Sequence, residues 1–322
     1  MNLRNKRFFV TGGAGFIGSH LADALIKLGP VTVYDNMSSG SMKFLEDLAG
    51  NPGFRLIKGD LLDTKRLSES IRGHDMVFHM AANPDVLQGL KNTELDLKQG
   101  TQATYNLLEA MRLNSIRRIA FASSGTVWGM TGEAVADEDF PMQPISLYGA
   151  SKVAGECYLR AFSHIFGFQV WIFRFANVVG DRQTHGVIYD FIRKFRDNHG
   201  KLEILGDGKQ TKHYLHTSDC ISGMLCGVEK GKDSVNVLNL ATKGTLTVTQ
   251  IADLVAREMG LSGAEYSYTG GSQGWKGDVP RSLFSCRRIK KLGWRPELDS
   301  EAAVISAIRA LIRDRYGVYR RP

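Results

Sequence analysis

The chain has 322 residues, 43% hydrophobic and 23% charged, enough apolar side chain for one large or two modest globular cores, which excludes a disordered or fibrous protein. Its 41 Lys and Arg outweigh 33 Asp and Glu, a formal charge of +8 that favours anionic partners without choosing among nucleotides, nucleic acid and anionic lipid. The four cysteines (Cys157, Cys220, Cys226, Cys286) form no Cys-x-x-Cys pair and share no metal-like spacing with the eight histidines, which argues against a disulfide scaffold or zinc module and fits a reducing cytoplasm.

The basic opening MNLRNKR is followed by FFVTGGAGFIG, too glycine-rich for a targeting core, and reads as a strand and a turn. Short β-branched or apolar runs follow at 7–11, 31–34, 55–57, 76–79 and 119–123, separated by helical stretches. That alternation predicts an α/β fold, a Rossmann-type doubly wound parallel sheet. Between the fourth and fifth runs Leu97, Thr101, Tyr105, Leu108 and Met111 recur at a helical period. A long helix carrying Val153, Cys157, Leu159 and Phe162 is expected after Tyr148, then a strand over 169–174. The apolar run 168–179 is interrupted by Arg174, and no run approaches the ~20 residues that cross a bilayer. Past residue 175, glycine-rich loops at 206–211 and 268–278 separate short strands and two amphipathic helices, 249–259 and 301–313. The reading is a cofactor domain over 1–175 and a smaller, mainly substrate-binding α/β portion over 176–322, partly intertwined with it. No repeat, low-complexity tract or Pro/Ser linker interrupts the chain.

TGGAGFIG (11–18) lies between the first strand and helix and spaces Gly12, Gly15 and Gly18 as GxxGxxG. The turn needs torsions and a close phosphate approach that side chains obstruct, and the helix N-terminus behind it attracts a pyrophosphate. A glycine turn can also be purely structural, so the second signal matters. Asp35, in YDN at the end of the next strand, falls 20 residues after Gly15, where a carboxylate accepts from ribose hydroxyls and repels a 2′-phosphate. NAD is therefore expected over NADP. Asp60, in KGD after the third strand, is either an adenine contact or a loop-capping residue.

YGASK (148–152) puts Tyr148 and Lys152 one helical turn apart on one face. A free phenol ionises near pH ~10 and is a poor base at neutrality, whereas a neighbouring ammonium favours the phenolate. Alone, such a pair also fits a solvated helix face. Here it follows SSGTVWG (123–129), a strand end whose Ser124 and Thr126 hydroxyls are placed to bridge the phenol to a substrate hydroxyl.

TGGAGFIG, YDN, HMAA (79–82), SSGTVWG, YGASK and RFANVVG (174–180), in this order and with these gaps, resemble the extended short-chain dehydrogenase/reductases that modify nucleotide sugars. The resemblance covers nearly the whole chain and is strongest to the NAD-dependent 4-epimerases of the UDP-glucose and UDP-galactose type. It implies Tyr148 as base, Lys152 as its activator and a nicotinamide-ribose contact, and Ser124 and Thr126 as hydrogen-bonding partners of the reacting hydroxyl. It implies an NAD site lined by Gly12, Gly15, Phe16, Ile17, Gly18, Asp35, Asn36, Ser38, Asp60, Leu61, Met80, Ala81, Ala82, Tyr148, Lys152 and Phe175. A nucleotide sugar, UDP-linked, is expected against Ser124, Tyr148, Asn177, Val187, Lys212, Trp275, Asp278 and Ser282. The family likeness further implies a cytoplasmic homodimer through a four-helix contact, with helices around 93–113 and 148–166 as candidates.

Related 4,6-dehydratases carry Asp-Glu where Gly125 and Thr126 stand, because eliminating water across C5 and C6 needs an extra acid and base; related decarboxylases usually carry Glu at the second position. An epimerase needs only hydride removal and return, with NAD regenerated each cycle. The alternatives are a nucleotide-sugar oxidoreductase, an epimerase for another sugar or carbon, and a non-catalytic dinucleotide-binding regulator, which intact Ser124, Tyr148 and Lys152 oppose. Several positions depart from the family pattern: Lys212 replaces an arginine, Trp275 beside Lys276 replaces another, Leu97 stands for an asparagine and Trp128 for a tyrosine. A bidentate phosphate clamp at 212 thereby becomes a point charge. Trp275 either stacks a base or closes a loop. Ser282, where glucose/galactose-restricted epimerases carry a bulky Tyr, either leaves room for a 2-acetamido group or is an exposed loop serine.

His79 reads as a packed, hydrogen-bonded histidine rather than a catalytic one, and His213 and His216 lack a third partner at metal spacing, so no metal is expected. The basic cluster Arg287, Arg288, Lys290, Lys291 and Arg295 has no interleaved aromatics and reads as a solvated face, so neither nucleic acid nor membrane is expected as a partner.

Overall fold

The computed structural model describes residues 1–198 and 200–313. The first part contains β1 (Phe8–Thr11), α1 (Phe16–Leu25), β2 (Val31–Asp35), β3 (Phe54–Lys58), α2 (Thr64–Ser70) and β4 (Met76–His79). Two short helices, α3 (Gln88–Lys91) and α4 (Glu94–Asp96), then lead through a π-helical turn (Leu97–Gln102) into α5 (Ala103–Leu113) and β5 (Arg118–Ser124). Next come a 3-10 turn (Gly125–Trp128), β6 (Val135–Ala136), α6 (Leu147–Phe166), β7 (Gln169–Phe175) and β8 (Asn177–Val179). The remainder holds α7 (Val187–Asp197), β9 (Lys201–Ile204), β10 (Thr211–Lys212), β11 (Tyr214–His216), α8 (Thr217–Lys230), β12 (Val235–Leu240), β13 (Leu246–Thr247) and α9 (Val248–Glu258). It ends with β14 (Glu265–Tyr268), β15 (Arg281–Phe284), α10 (Arg287–Lys291) and α11 (Ser300–Arg313).

Seven strands form one parallel sheet in the order β12-β7-β5-β4-β1-β2-β3. β1, β2 and β4 are buried at every position, as a sheet covered on both faces requires. Side-chain alternation divides their apolar residues between two cores. Phe8, Val10, Val33, Phe78 and Phe173 pack with Leu21 and Leu25 of α1 and Met224 of α8 on one face. Phe9, Val77, Ile119, Phe121 and Ile172 pack with Leu107 and Met111 of α5 and Leu159 of α6 on the other. A third cluster, built from Ile188, Phe191, Ile251, Val255, Val304 and Ile308, joins α7, α9 and α11.

The helix predicted from Leu97 differs at its start. Leu108 and Met111 are fully buried, but Leu97 is 59% and Tyr105 43% exposed. The π-helical turn accounts for Leu97, since its wider i→i+5 spacing shifts the phase of the residues before α5 relative to the buried face behind it, whereas Tyr105, within α5, lies against Tyr158 of α6 at the surface.

Candidate active site

The order of the sheet reverses between β1 and β4, and there the crevice at the strands' carboxyl ends holds the glycine-rich turn. Its three glycines answer to different constraints. Gly12 has φ 67°, and a Cβ on it would come within 2.6 Å of the Ala81 backbone that follows β4. A Cβ on Gly18 would collide with the Gly12 carbonyl oxygen, so this glycine seats α1 on the turn. At Gly15 the nearest protein atom to a Cβ is 3.3 Å away, and no side chain caps α1 there. The position stands at the positive end of a helix, with the Gly12 carbonyl as its one close neighbour, and that end favours an anion.

Asp35 ends β2 beside this turn, its Oδ2 accepting from the Ala14 N–H at 2.9 Å and its Oδ1 from the Met37 N–H at 2.8 Å. Burial holds its carboxyl above the usual range, with the two amides pulling the other way. Each oxygen retains a lone pair for a ribose hydroxyl. Asp60 is occupied by its own loop: it accepts from Leu62 N–H at 2.8 Å and from Asn36 Nδ2 at 3.0 Å, and its carbonyl accepts from Tyr34. These bonds tie Asp60 into its own loop. Ser38 is exposed and donates its N–H to the Asn36 side chain, while Leu61 is buried in the core. Phe16, Ile17, Met80, Ala81 and Ala82 are partly exposed around the crevice, and Phe175 is buried at the end of β7. Gly15 at an uncapped helix end and a carboxylate at the tip of β2 fit a dinucleotide such as NAD.

Ser146 caps α6 by accepting from Gly149 N–H, so Tyr148 and Lys152 fall in its first turns. Lys152 is 4% exposed; its Nζ donates to the Ala122 carbonyl of β5 at 2.7 Å and lies 5.4 Å from the centre of the Tyr148 ring. Burial pulls the ammonium down to about 8, opposed by the nearby carboxylates of Asp96 and Glu156. The Tyr148 phenol is pushed up to about 12 by burial and by Asp96, while a side-chain hydrogen bond with Ser124 acts the other way. Beneath the pair, Glu156 of α6 receives Arg174 of β7 at 2.9 and 2.8 Å and the Ser123 hydroxyl of β5 at 2.6 Å. This buried network fixes α6 on the two strands that carry the site.

The turn after β5 is closely packed. A Cβ on Gly125 would run into the ring of Phe284 from β15 and approach Trp128 to 3.2 Å. Trp128 is 1% exposed, stacked edge-on to Phe284 at 4.8 Å. Thr126 Oγ1 is buried without a hydrogen-bond partner among the described residues. His79 bridges Thr11 at 2.7 Å and Thr104 at 3.0 Å, and burial holds its ring near a pKa of about 3. Since the Thr104 hydroxyl donates to the Gly100 carbonyl, it accepts from His79 Nε2–H, and Nδ1 accepts from Thr11. His79 is a neutral packing group, as its sequence position suggests.

Of the second-half residues, Lys212, Asp278, Trp275, Ser282 and Asn177 are linked through neighbouring contacts. Lys212 Nζ is bound to Asp278 Oδ1 at 2.6 Å, and Gly274 N–H donates to Asp278 Oδ2 at 3.2 Å. The lysine's charge is thus partnered within the protein. Ser282 lies within β15, in register with Lys212 of β10, which corrects the reading of it as a loop residue. Asn177 is exposed in β8 and hydrogen-bonds the buried Tyr214, and Val187 opens α7. Trp275 is partly buried in a loop whose Gly277 lies against the Ile145 carbonyl, just ahead of α6. Asp96 and Phe284 enter the site without a sequence signal, since each arrives from a segment with no recognisable motif, whereas Asn83 directly follows HMAA (79–82). Among the described residues there is no group of three His, Cys, Asp or Glu able to hold a metal ion, and no helix long and apolar enough to cross a membrane.

Residues 8–241 match the model of the NAD dependent epimerase/dehydratase family. A putative UDP-glucose 4-epimerase from Methanocaldococcus jannaschii is 34% identical over 92% of this chain and 95% of its own. Among solved structures, a UDP-galactose 4-epimerase superposes with a TM-score of 0.86 at 38% identity, covering 96% of this chain and all of that one. The dTDP-glucose 4,6-dehydratase DesIV of Streptomyces venezuelae, solved with NAD bound, reaches 0.90 at 26% identity over 96% and 98%. With a Rossmann-type sheet, a glycine turn shaped for a pyrophosphate and NAD as its cofactor, the chain belongs to the NAD-dependent epimerase/dehydratase family.

Proposed function

We propose that this enzyme is a nucleotide-sugar 4-epimerase acting on a UDP-linked sugar through a transient 4-keto intermediate. The observation that carries the reading is the turn after β5: Gly125 and Thr126, with Phe284 and Trp128 packed against the glycine, offer no carboxyl group for the acid that a 4,6-elimination needs there. What remains is a reacting pair suited to moving one proton. Tyr148 takes the proton of the sugar 4-hydroxyl onto its phenolate oxygen, with Ser124 hydrogen-bonded beside it and the Lys152 ammonium stabilising the anion. NAD, held by the Gly12–Gly18 turn and Asp35, would supply reversible hydride transfer at C4. Buried Lys152, anchored on the Ala122 carbonyl 5.4 Å from the centre of the Tyr148 ring, keeps its charge beside the phenol. Asp35 selects NAD by offering its carboxylate to the adenosine ribose.

The relatives named as epimerases, at 34% and 38% identity, support the same reading, and the dehydratase relative marks the alternative. Ser282, small and in register with Lys212, supports acceptance of N-acetylated sugars. Proton NMR of the purified protein with UDP-glucose, UDP-galactose or their N-acetyl forms is expected to show the C4 epimer growing in. A 4-keto-6-deoxy product, or net reduction of added NAD, would overturn the assignment.

A further inference from the structure

The reacting centre contains a third ionisable group that the proton transfer does not use. Asp96 ends α4, which packs on α6, and is 1% exposed. Asn83 Nδ2 donates to its Oδ1 at 3.2 Å, whereas Oδ2 is buried with no hydrogen-bond partner among the described residues. Gly89 of α3 makes room for that oxygen, since a Cβ there would collide with it. From Asp96 the chain enters the π-helical turn 97–102, whose Gly100 sits so close to α6 that a Cβ would come within 2.6 Å of Ser151 Cβ. Wide turns of this kind recur at functional sites. A half-partnered carboxylate is costly to bury unless a positive charge stands near it.

Burial pushes the Asp96 carboxyl above its usual range, opposed by the Asn83 hydrogen bond and by the Lys152 ammonium, and Asp96 in turn favours that ammonium. The other groups facing the pair are accounted for. Glu156, from α6, is engaged by Arg174 and Ser123; His79, from β4, is neutral; Ser124, from β5, bonds Tyr148.

We propose that Asp96 is a positioning residue, the counter-charge that keeps Lys152 protonated inside the protein and holds the proton on Tyr148 until the cofactor's positively charged ring is in place. The inference rests on Tyr148 and Lys152 being the proton-transfer pair. A negative charge favours the charged ammonium and the neutral phenol, so it raises both ionisations, and its removal lowers both.

Near-ultraviolet titration reads the Tyr148 phenolate as the absorbance that Tyr148→Phe removes, measured with Asp96 present and again in Asp96→Asn. Asp96→Asn is expected to move this ionisation down by about one pH unit. Gly89→Ala, which displaces Oδ2 and leaves every charge in the chain, is expected to give a smaller shift of the same sign. Sugar turnover should show both limbs of its pH profile moved in that direction. Titrations of Asp96→Asn and Gly89→Ala that superimpose on the parent overturn the proposal. The titration needs no sugar, so an enzyme that shifts as expected yet turns over no nucleotide sugar refutes the epimerase reading alone.

Discussion

At Gly125 the absence of a side chain is enforced by two rings, Phe284 and Trp128, rather than by backbone torsion. Gly125→Ala is therefore expected to overpack this turn and lower stability by about 1–3 kcal/mol. Urea denaturation should reveal the loss, and Phe284→Ala in the same chain should recover part of it because the two residues share one space. Parent-like stability of the single variant would mean that the Phe284 ring moves aside freely. At this scale the sequence is legible where partners share an element. Tyr148 and Lys152 stand four positions apart on α6, and their spacing displays the pair. Phe284 reaches Gly125 from the other end of the chain, and Asp96 reaches Lys152 from a short helix with no motif, so only the folded chain brings them together.

Among the elements, β1, the glycine turn and α1 show how one motif separates stability from binding. A Cβ at position 18 strikes the backbone of Gly12, whereas a Cβ at position 15 meets little protein. Gly18→Ala is expected to lower the melting temperature, while Gly15→Ala leaves it unchanged and weakens NAD. Calorimetry of NAD binding beside thermal unfolding separates the two, and equal loss of stability in both would contradict the division. The strands were legible because their runs are short, apolar and regularly spaced. The approach to α5 is not: a π-helical turn has no signature in a pattern read at 3.6 residues per turn, so Leu97 falls off the buried face that Leu108 and Met111 share. The Lys212–Asp278 pair was equally hidden, since two residues expected to meet a ligand meet each other.

Across the whole molecule, α5 and α6 leave an apolar surface: Tyr105, Tyr158, Ile165 and Phe166 are exposed by 43, 40, 65 and 38%, and the two tyrosine rings lie 5.7 Å apart. Contiguous apolar surface of this kind marks an interface, and we propose that it pairs with its copy in a homodimer. Sedimentation should show a dimer, and Tyr158→Asp with Ile165→Asp should yield a monomer; a monomeric parent would remove the idea. β15 carries a different consequence. Its Phe284 closes position 125, and its Ser282 runs beside Lys212 on the proposed sugar side. On the proposed function, one four-residue strand bears on both the choice of reaction and the recognition of substrate, so relatives that exchange their later halves by recombination are expected to exchange chemistry and specificity as a single inherited trait.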